Sequence, residues 1–206
     1  GKLPLAVNLY RAVDAAENEL RLRIFHRGRP VPLSDVLPVL ENLGLKVMTE
    51  DPFRIDPAES GEPVWMHDFA MIAREVKEVD LTHIKSRFEE VFSLVWAGWA
   101  ANDGFNRLVF TAGLALGEVI VLRAYARYLR QIGISYSQSY IEDALAQNPP
   151  IVRKYNELFR ALHTPGQGAG AGTRAKGLVV EIEHLLDAVA NLDQDRILRR
   201  YLNLIQ

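Results

Sequence analysis

Residues 88–145 read FEEVFSLVWAGWAANDGFNRLVFTAGLALGEVIVLRAYARYLRQIGISYSQSYIEDAL. Apolar residues in this stretch recur at i, i+3, i+4 and i+7, the spacing that lays one buried stripe along each successive helix. Counting from Ile84 just upstream, Phe88, Val91, Val95 and Trp99 share one face, and further on Val119, Leu122, Ala126 and Leu129 share another. The pattern predicts a packed helical core whose first helix runs from about residue 82 to 101. Burying each large side chain contributes about 1.5–3 kcal/mol, so the cluster can hold a domain together. Trp96 and Trp99 lie on a helix that is apolar almost all round, which places them in the core rather than on a ligand platform.

Upstream the periodicity changes from helical to alternating. Residues 4–10 and 19–27 alternate with period two, as in Leu20, Leu22 and Ile24 against Arg21, Arg23 and Phe25, and a polar link between them predicts a hairpin. Ser34 then precedes Leu37, Leu40 and Leu43 at helical spacing, Pro38 falls near the first turn, and Gly44 stands where a left-handed residue ends a helix. Residues 45–48 and 53–55 read as extended, with Pro52 confining that segment to a bend or a sheet edge. Residues 64–72 form the next predicted strand. Four strands, a short helix among them and a long helix after Asp80 predict an α+β fold. Its first part is a small ferredoxin-like antiparallel sheet domain over residues 1–80, and its second an all-α helical domain over 81–206.

Downstream, Asn148, Pro149 and Pro150 break the chain before a helix with Val152, Tyr155, Leu158, Phe159 and Leu162 inward. Ser139 with Glu142 has the spacing of a capping box, and Asp193 is the expected cap of the last helix. Residues 163–176, rich in glycine and alanine, are predicted to be a flexible linker. Two further helices follow, carrying Leu178, Ile182, Leu185 and Val189 and then Leu198, Tyr201, Leu202 and Ile205.

Composition narrows the function classes. The chain has 206 residues, 49% of them hydrophobic, which excludes disorder throughout. Net charge is −4 over residues 1–80 and +2 over residues 81–206, together the chain's −2, so neither part is the basic surface that tracks nucleic-acid phosphates. There is no run of eighteen apolar residues and no charged-then-apolar leader, so no membrane span is predicted. The absence of cysteine excludes a disulfide framework and a thiolate metal site, and fits a reducing cytoplasm.

Few residues point to chemistry. Gly166, Gly168 and Ala171 fit G-x-G-x-x-A, but a dinucleotide fingerprint needs a preceding strand, and here a helical pattern precedes it. No cofactor site is therefore assigned. His67 and Asp68 are adjacent on a strand, so their side chains point to opposite faces and cannot work as base and orienter. Their expected role is a hydrogen bond at a sheet edge. His83 and His184 have carboxylates three residues before them but no second histidine at ligand spacing, so no metal site is expected. Arg123, Arg127 and Arg130 lie at i, i+4 and i+7, forming one basic stripe beside Tyr125 and Tyr128. That stripe is either a solvated face or a candidate interface. No nucleophile with a neighbouring base is present, and no catalytic residue is assigned.

Several segments together carry a resemblance. VWAGWAANDGFNRLV, LRAYARYLRQIG and SYSQSYIEDAL, with PVPLSDVLPVLENLGLKVMTEDPF at residues 30–53, VWMHDF at 64–69 and LDQDRILRRYLNLI at 192–205, are similar to the segment preceding the catalytic part of the large bacterial NAD-dependent glutamate dehydrogenases. The resemblance spans most of the chain. It implies a non-catalytic regulatory and assembly segment of a much longer polypeptide, ending just before the catalytic portion. Oxidative deamination of glutamate to 2-oxoglutarate with NAD would then belong to that later portion. It also implies a homo-oligomer whose partners include the remainder of the same polypeptide.

Within the first 80 residues, LSDVLPVLENLGLKV after a strand resembles the first strand, helix and strand of the amino-acid-sensing ACT domains. The chain departs from them in an extra leading strand and in Pro30 and Pro32. In such domains an effector lies where the loop after the first core strand meets the next helix. That resemblance makes Gly28, Arg29, Ser34 and Asp35 the candidate site for an amino-acid effector, with Gly28 allowing close backbone approach and Ser34 capping a helix whose amides favour a carboxylate. Two other readings stay open from the residues themselves, a stand-alone ACT-like sensor and an enzyme of unrecognised type.

Overall fold

In the computed structural model the described residues are 5–58, 61–165 and 171–206. They form two compact units, residues 1–116 and 117–206. That boundary falls later than the expected 80/81, because the long helix packs against the first strand and the short turns after it pack on the helices of the same unit rather than starting a separate body.

The first unit contains β1 (Leu5–Tyr10), β2 (Glu19–Arg27), α1 (Leu33–Asn42), β3 (Leu45–Ile55), β4 (Val64–Ala73), α2 (Leu81–Trp96), a short 3-10 turn at Gly104–Arg107 and α3 (Leu108–Thr111). Pro4, the expected start of the first strand, lies outside the described residues. The sheet order is β1-β2-β4-β3 and every neighbouring pair is antiparallel. β2 and β3 therefore run parallel with β4 between them, a split β-α-β joined by α1. The extra leading strand now has a place, since β1 takes the sheet edge beside β2 that the last strand of a β-α-β-β-α-β unit would fill.

Register sets which side chains are buried. Leu9, Leu22 and Phe69 are paired across three strands and all point to the helix side, as do Leu20, Ile24 and Met71. They are buried with Val36, Val39 and Leu40 of α1 and with Ile84, Phe88, Val91 and Val95 of α2. Gly44 follows α1 with φ +84°, and an added Cβ there would also press on the Arg107 side chain at 3.3 Å. The positive φ of this turn is what requires glycine at this position.

Both sheet edges are closed. On β1, the Leu9 N–H donates to Glu89 Oε1 at 2.8 Å and the Leu9 carbonyl accepts from Lys85 Nζ at 2.7 Å, so two side chains of α2 satisfy the outer side of that strand. On β3, Pro52 has no N–H to offer and a bulge lies between Val47 and Thr49. Each device blunts strand addition.

The helix expected to reach residue 101 ends at Trp96. Asp80 caps its start, accepting from the Thr82 N–H at 2.9 Å, and Gly98, with φ +73°, turns the chain away at its end. Trp99 follows that turn and is 69% exposed, so it is not the core residue its spacing predicts. Trp96 stays at the core margin, stacked on Phe92.

The second unit holds most of α4 (Leu116–Gln131), then α5 (Gln138–Ala146), α6 (Pro149–His163), α7 (Ala171–Asp187) and α8 (Leu192–Ile205). The caps lie two residues before those expected. Ser137, not Ser139, accepts from the Tyr140 N–H, and Asn191, not Asp193, accepts from the N–H groups of Asp193 and Gln194. The expected linker is also shorter. α6 continues through His163, and α7 opens at Ala171 because Ala175, Leu178, Ile182 and Leu186 bury one stripe, which outweighs the low helix propensity of Gly172 and Gly177. Gly166 and Gly168 lie outside the described residues. At the centre Tyr155 and Tyr201 stack with ring centroids 6.1 Å apart, and their hydroxyls donate to the carbonyls of Leu198 and Leu122. Burial pushes both phenols far above the ordinary value of 10.0.

The contrast between two aromatic residues on one predicted stripe is testable. Phe88→Ala, which empties a fully buried site, is expected to destabilise the protein by about 3–5 kcal/mol. Trp99→Ala is expected to change stability by no more than about 0.5 kcal/mol. Denaturant titration of the two variants reads the difference directly.

Candidate functional site

The residues with chemical potential in the first unit gather around the middle of β4. His67 and Asp68 do point to opposite faces, but β4 is an interior strand, so neither sits at a sheet edge. They are 3% and 6% exposed, and each organises a separate network.

On the helix side, the Val31 N–H donates to His67 Nε2 at 3.0 Å, and His67 Nδ1 lies 2.7 Å from Glu50 Oε1. A ring nitrogen that accepts from an amide carries no proton, so Nδ1 holds the hydrogen and donates it to Glu50. The neutral imidazole thus ties the loop between β2 and α1 to the sheet. The same loop is held at its other end by the Gly28 N–H, which donates to the Pro63 carbonyl at 2.8 Å, and Gly28 has φ +85°.

On the outer side, Asp68 Oδ1 accepts from Arg21 Nε at 3.0 Å. Its Oδ2 accepts from the Tyr10 hydroxyl at 2.7 Å and from Arg23 Nε at 3.2 Å. The Arg23 guanidinium also lies 4.6 Å from the centre of the Tyr10 ring, and Arg21 reaches Asp51 at 3.5 Å. Burial by itself would raise the Asp68 pKa. The hydrogen bonds from Arg21, Tyr10 and Arg23 outweigh it and hold the carboxyl below its ordinary 3.8. Burial and the Asp68 hydrogen bond raise the Tyr10 phenol.

The sequence-predicted site residues are not all brought together. Gly28 and Arg29 lie in the tethered loop, Arg29 exposed, with its carbonyl accepting from His26 Nδ1 at 2.9 Å. Ser34 is not the cap of α1. The helix starts at Leu33 with Pro32 before it, and the Ser34 hydroxyl donates to Asp35 Oδ1 at 3.3 Å. The Asp35 carboxylate stands in the first turn, where it already complements the helix dipole. The basic stripe on α4 is divided: Arg123 is buried at 5% exposure while Arg127 and Arg130 stay on the surface, because Arg123 borders the apolar stripe of Val119, Leu122 and Ala126.

The alternating pattern places Arg21 and Arg23 on the polar face of a strand but does not show that they, with Tyr10 and Asp51, surround one carboxylate. Two arginines at i and i+2 on the polar face of a strand require an anion on the neighbouring strand, and VWMHDFAMIA contains only one. In the second unit a cleft of about 630 Å³ is lined by Ser135, Tyr136, Arg196, Arg199 and Arg200. Two of its cations are already engaged, Arg199 by Asp187 and Asp195 and Arg196 by Asp193. Among the described residues no group of three His, Asp or Glu side chains stands where it could hold a metal ion, and no helix is long and apolar enough to cross a membrane.

Residues 4–84 match the family model for the ACT3 domain of glutamate dehydrogenase, and residues 100–165 that for its helical motif 3. The first match runs from β1 into α2, and the second from the turns after α2 through α6. Similar curated proteins include the NAD-specific glutamate dehydrogenase of Halomonas elongata, 42% identical over 203 residues that cover 98% of this chain and 12% of that protein. The enzyme of the same name from Pseudomonas aeruginosa is 39% identical over 206 residues, covering 98% of this chain and 13% of that protein. That of Mycobacterium tuberculosis is 40% identical over 194 residues, covering 90% and 12%. The chain therefore spans a small fraction of the length of these relatives.

Both β4 networks give expected outcomes. A carboxyl whose folded pKa is depressed adds stability that is present above its unfolded value and is lost as pH falls through the folded one. Asp68→Asn is accordingly expected to cost about 1–3 kcal/mol at pH 7, and much less at a pH well below the ordinary carboxyl value of 3.8. Urea titrations at the two pH values check it. His67→Ala is expected to raise the hydrogen-exchange rate of the Val31 amide while leaving the Gly28 amide protected, read by amide exchange in NMR spectra.

Proposed function

We propose that this chain, which belongs to the glutamate dehydrogenase family and carries its ACT3 domain and helical motif 3, acts as a non-catalytic regulatory and assembly segment of an NAD-specific glutamate dehydrogenase. Oxidative deamination of L-glutamate to 2-oxoglutarate, with NAD, is then the work of other parts of the polypeptide. Its partners are those parts and further copies of itself, in the cytoplasmic setting that a cysteine-free composition fits.

One observation carries the reading. The two most buried titratable side chains of the sheet unit spend their hydrogen-bonding capacity on structure, His67 on the Val31 amide and Glu50, and Asp68 on Tyr10, Arg21 and Arg23. A general base or acid needs a lone pair or a proton facing substrate, and these groups face their own fold. Within the regulatory role, Gly28, Arg29, Ser34 and Asp35 are the proposed effector surface. The turn is preformed by its two backbone anchors, Arg29 offers a cation to a ligand carboxylate, and Asp35 an anion to a ligand ammonium.

Two measurements test this. Isothermal calorimetry with NAD is expected to give no saturable heat, and saturable binding would remove the non-catalytic reading. In a thermal-shift screen of the twenty amino acids, an effector at a hundred times its dissociation constant stabilises by about 2.7 kcal/mol. Arg29→Ala with Ser34→Ala is expected to abolish that shift. Unchanged melting with all twenty leaves assembly as the role.

A further inference from the structure

The cleft of about 630 Å³ in the second unit lies between α8 and the turn that joins α4 to α5. One wall is Arg196, Arg199, Arg200 and Asn203, and the other is the turn at residues 133–136. Three guanidinium groups therefore line one recess, and among the described residues no carboxylate does.

Both walls are held in place by the fold. On the turn, the Gly133 N–H donates to the Arg130 carbonyl at 3.2 Å and the Ile134 N–H to the Leu129 carbonyl at 3.1 Å. The Tyr136 hydroxyl donates to Asp193 Oδ1 at 2.7 Å, which ties the turn to the first turn of α8. On the helix, Arg196, Arg200 and Asn203 stand at i, i+4 and i+7 and share one exposed face.

The ion pairs inside the chain leave donors over. Arg196 gives Nη1 to Asp193, and Arg199 gives Nε to Asp195 and Nη2 to Asp187. Those two groups are neutralised from outside the cleft, and by themselves they call for no ligand. Arg200 differs, because it has no hydrogen-bond or ion-pair partner among the described residues, and the same holds for the Asn203 amide and for the hydroxyl and N–H of Ser135. Arg196 and Arg200 are also like charges four residues apart, an arrangement that costs a helix a few tenths of a kcal/mol, about 0.2–0.5, until an anion stands between them.

The geometry selects among anions. A guanidinium fork suits carboxylate and phosphate alike, but one carboxylate brings two oxygens and a single charge. A terminal phosphoryl group brings three oxygens and nearly two charges near neutral pH, which matches several forks converging on one place. The volume falls within the range of about 300–1,000 Å³ that small-molecule sites occupy, so there is room for the group that bears the phosphate. We propose that this cleft binds a small molecule carrying a phosphate monoester, with Arg200 and Arg196 on the phosphoryl oxygens and Ser135 and Asn203 donating from the two walls. This site is separate from the effector surface at Gly28, Arg29, Ser34 and Asp35. Both phosphates of NAD are diesters, so the calorimetry with NAD and the test of this cleft are independent.

Glycerol 3-phosphate is a suitable probe. In NMR titrations it is expected to give saturable shifts at the Ser135 and Tyr136 amides and at Arg200 Nε, while acetate at the same ionic strength gives none. Arg200→Gln, at an exposed position without a partner, is expected to weaken binding about tenfold with the melting temperature retained. Arg127→Gln, on α4 and outside the cleft, is expected to leave binding unchanged. No saturable shift with glycerol 3-phosphate, an equal response to acetate, or a loss with Arg127→Gln as large as that with Arg200→Gln overturns the proposal.

Discussion

A carboxylate withdrawn almost wholly from water must be neutralised where it stands, and Asp68 places that requirement in the middle of the sheet. Its three donors come from two other strands, Tyr10 from β1 and Arg21 and Arg23 from β2. A one-residue slip of either strand would turn those donors to the helix side and leave the charge buried alone, a change far costlier than any single apolar contact. The hydrophobic alternation on the other face demands the same register. Two independent constraints therefore agree on one pairing of strands.

The neighbouring residue extends the constraint from sheet to loop. His67 holds Val31 across the top of the core, and Glu50 fixes the tautomer that makes this possible. Because Glu50 comes from β3 and Val31 from the segment entering α1, one imidazole links the edge strand, the central strand and the helix entry. The turn carrying Gly28 and Arg29 is tied at one end to the sheet through this imidazole and at the other to the Pro63 carbonyl.

The helical unit solves its burial problem differently. Polar atoms at its centre are the hydroxyls of Tyr155 and Tyr201, and each donates to a main-chain carbonyl of another helix, so aromatic area is buried without stranding a polar group. At its margin Arg123 goes inward while Arg127 and Arg130 remain outside, which shows how one position on a helical wheel separates structural from surface arginine.

Local chemistry by itself determined the strands at residues 19–27 and 64–72, the helix ended by Gly44, the edge position of the Pro52 strand, and the buried stripes of α2 and α4. Each depends on spacing and on the φ/ψ limits of single residues, which act over a few positions. Only the tertiary structure decided that Trp99 lies outside, that the chain is helical again from Ala171, that Arg123 is buried, and that Asp68 is the centre of the outer face. For Trp99 the turn at Gly98 overrides the helical spacing, and for Asp68 the outcome depends on the two arginines of the next strand, about which a periodicity read along one segment contains no information.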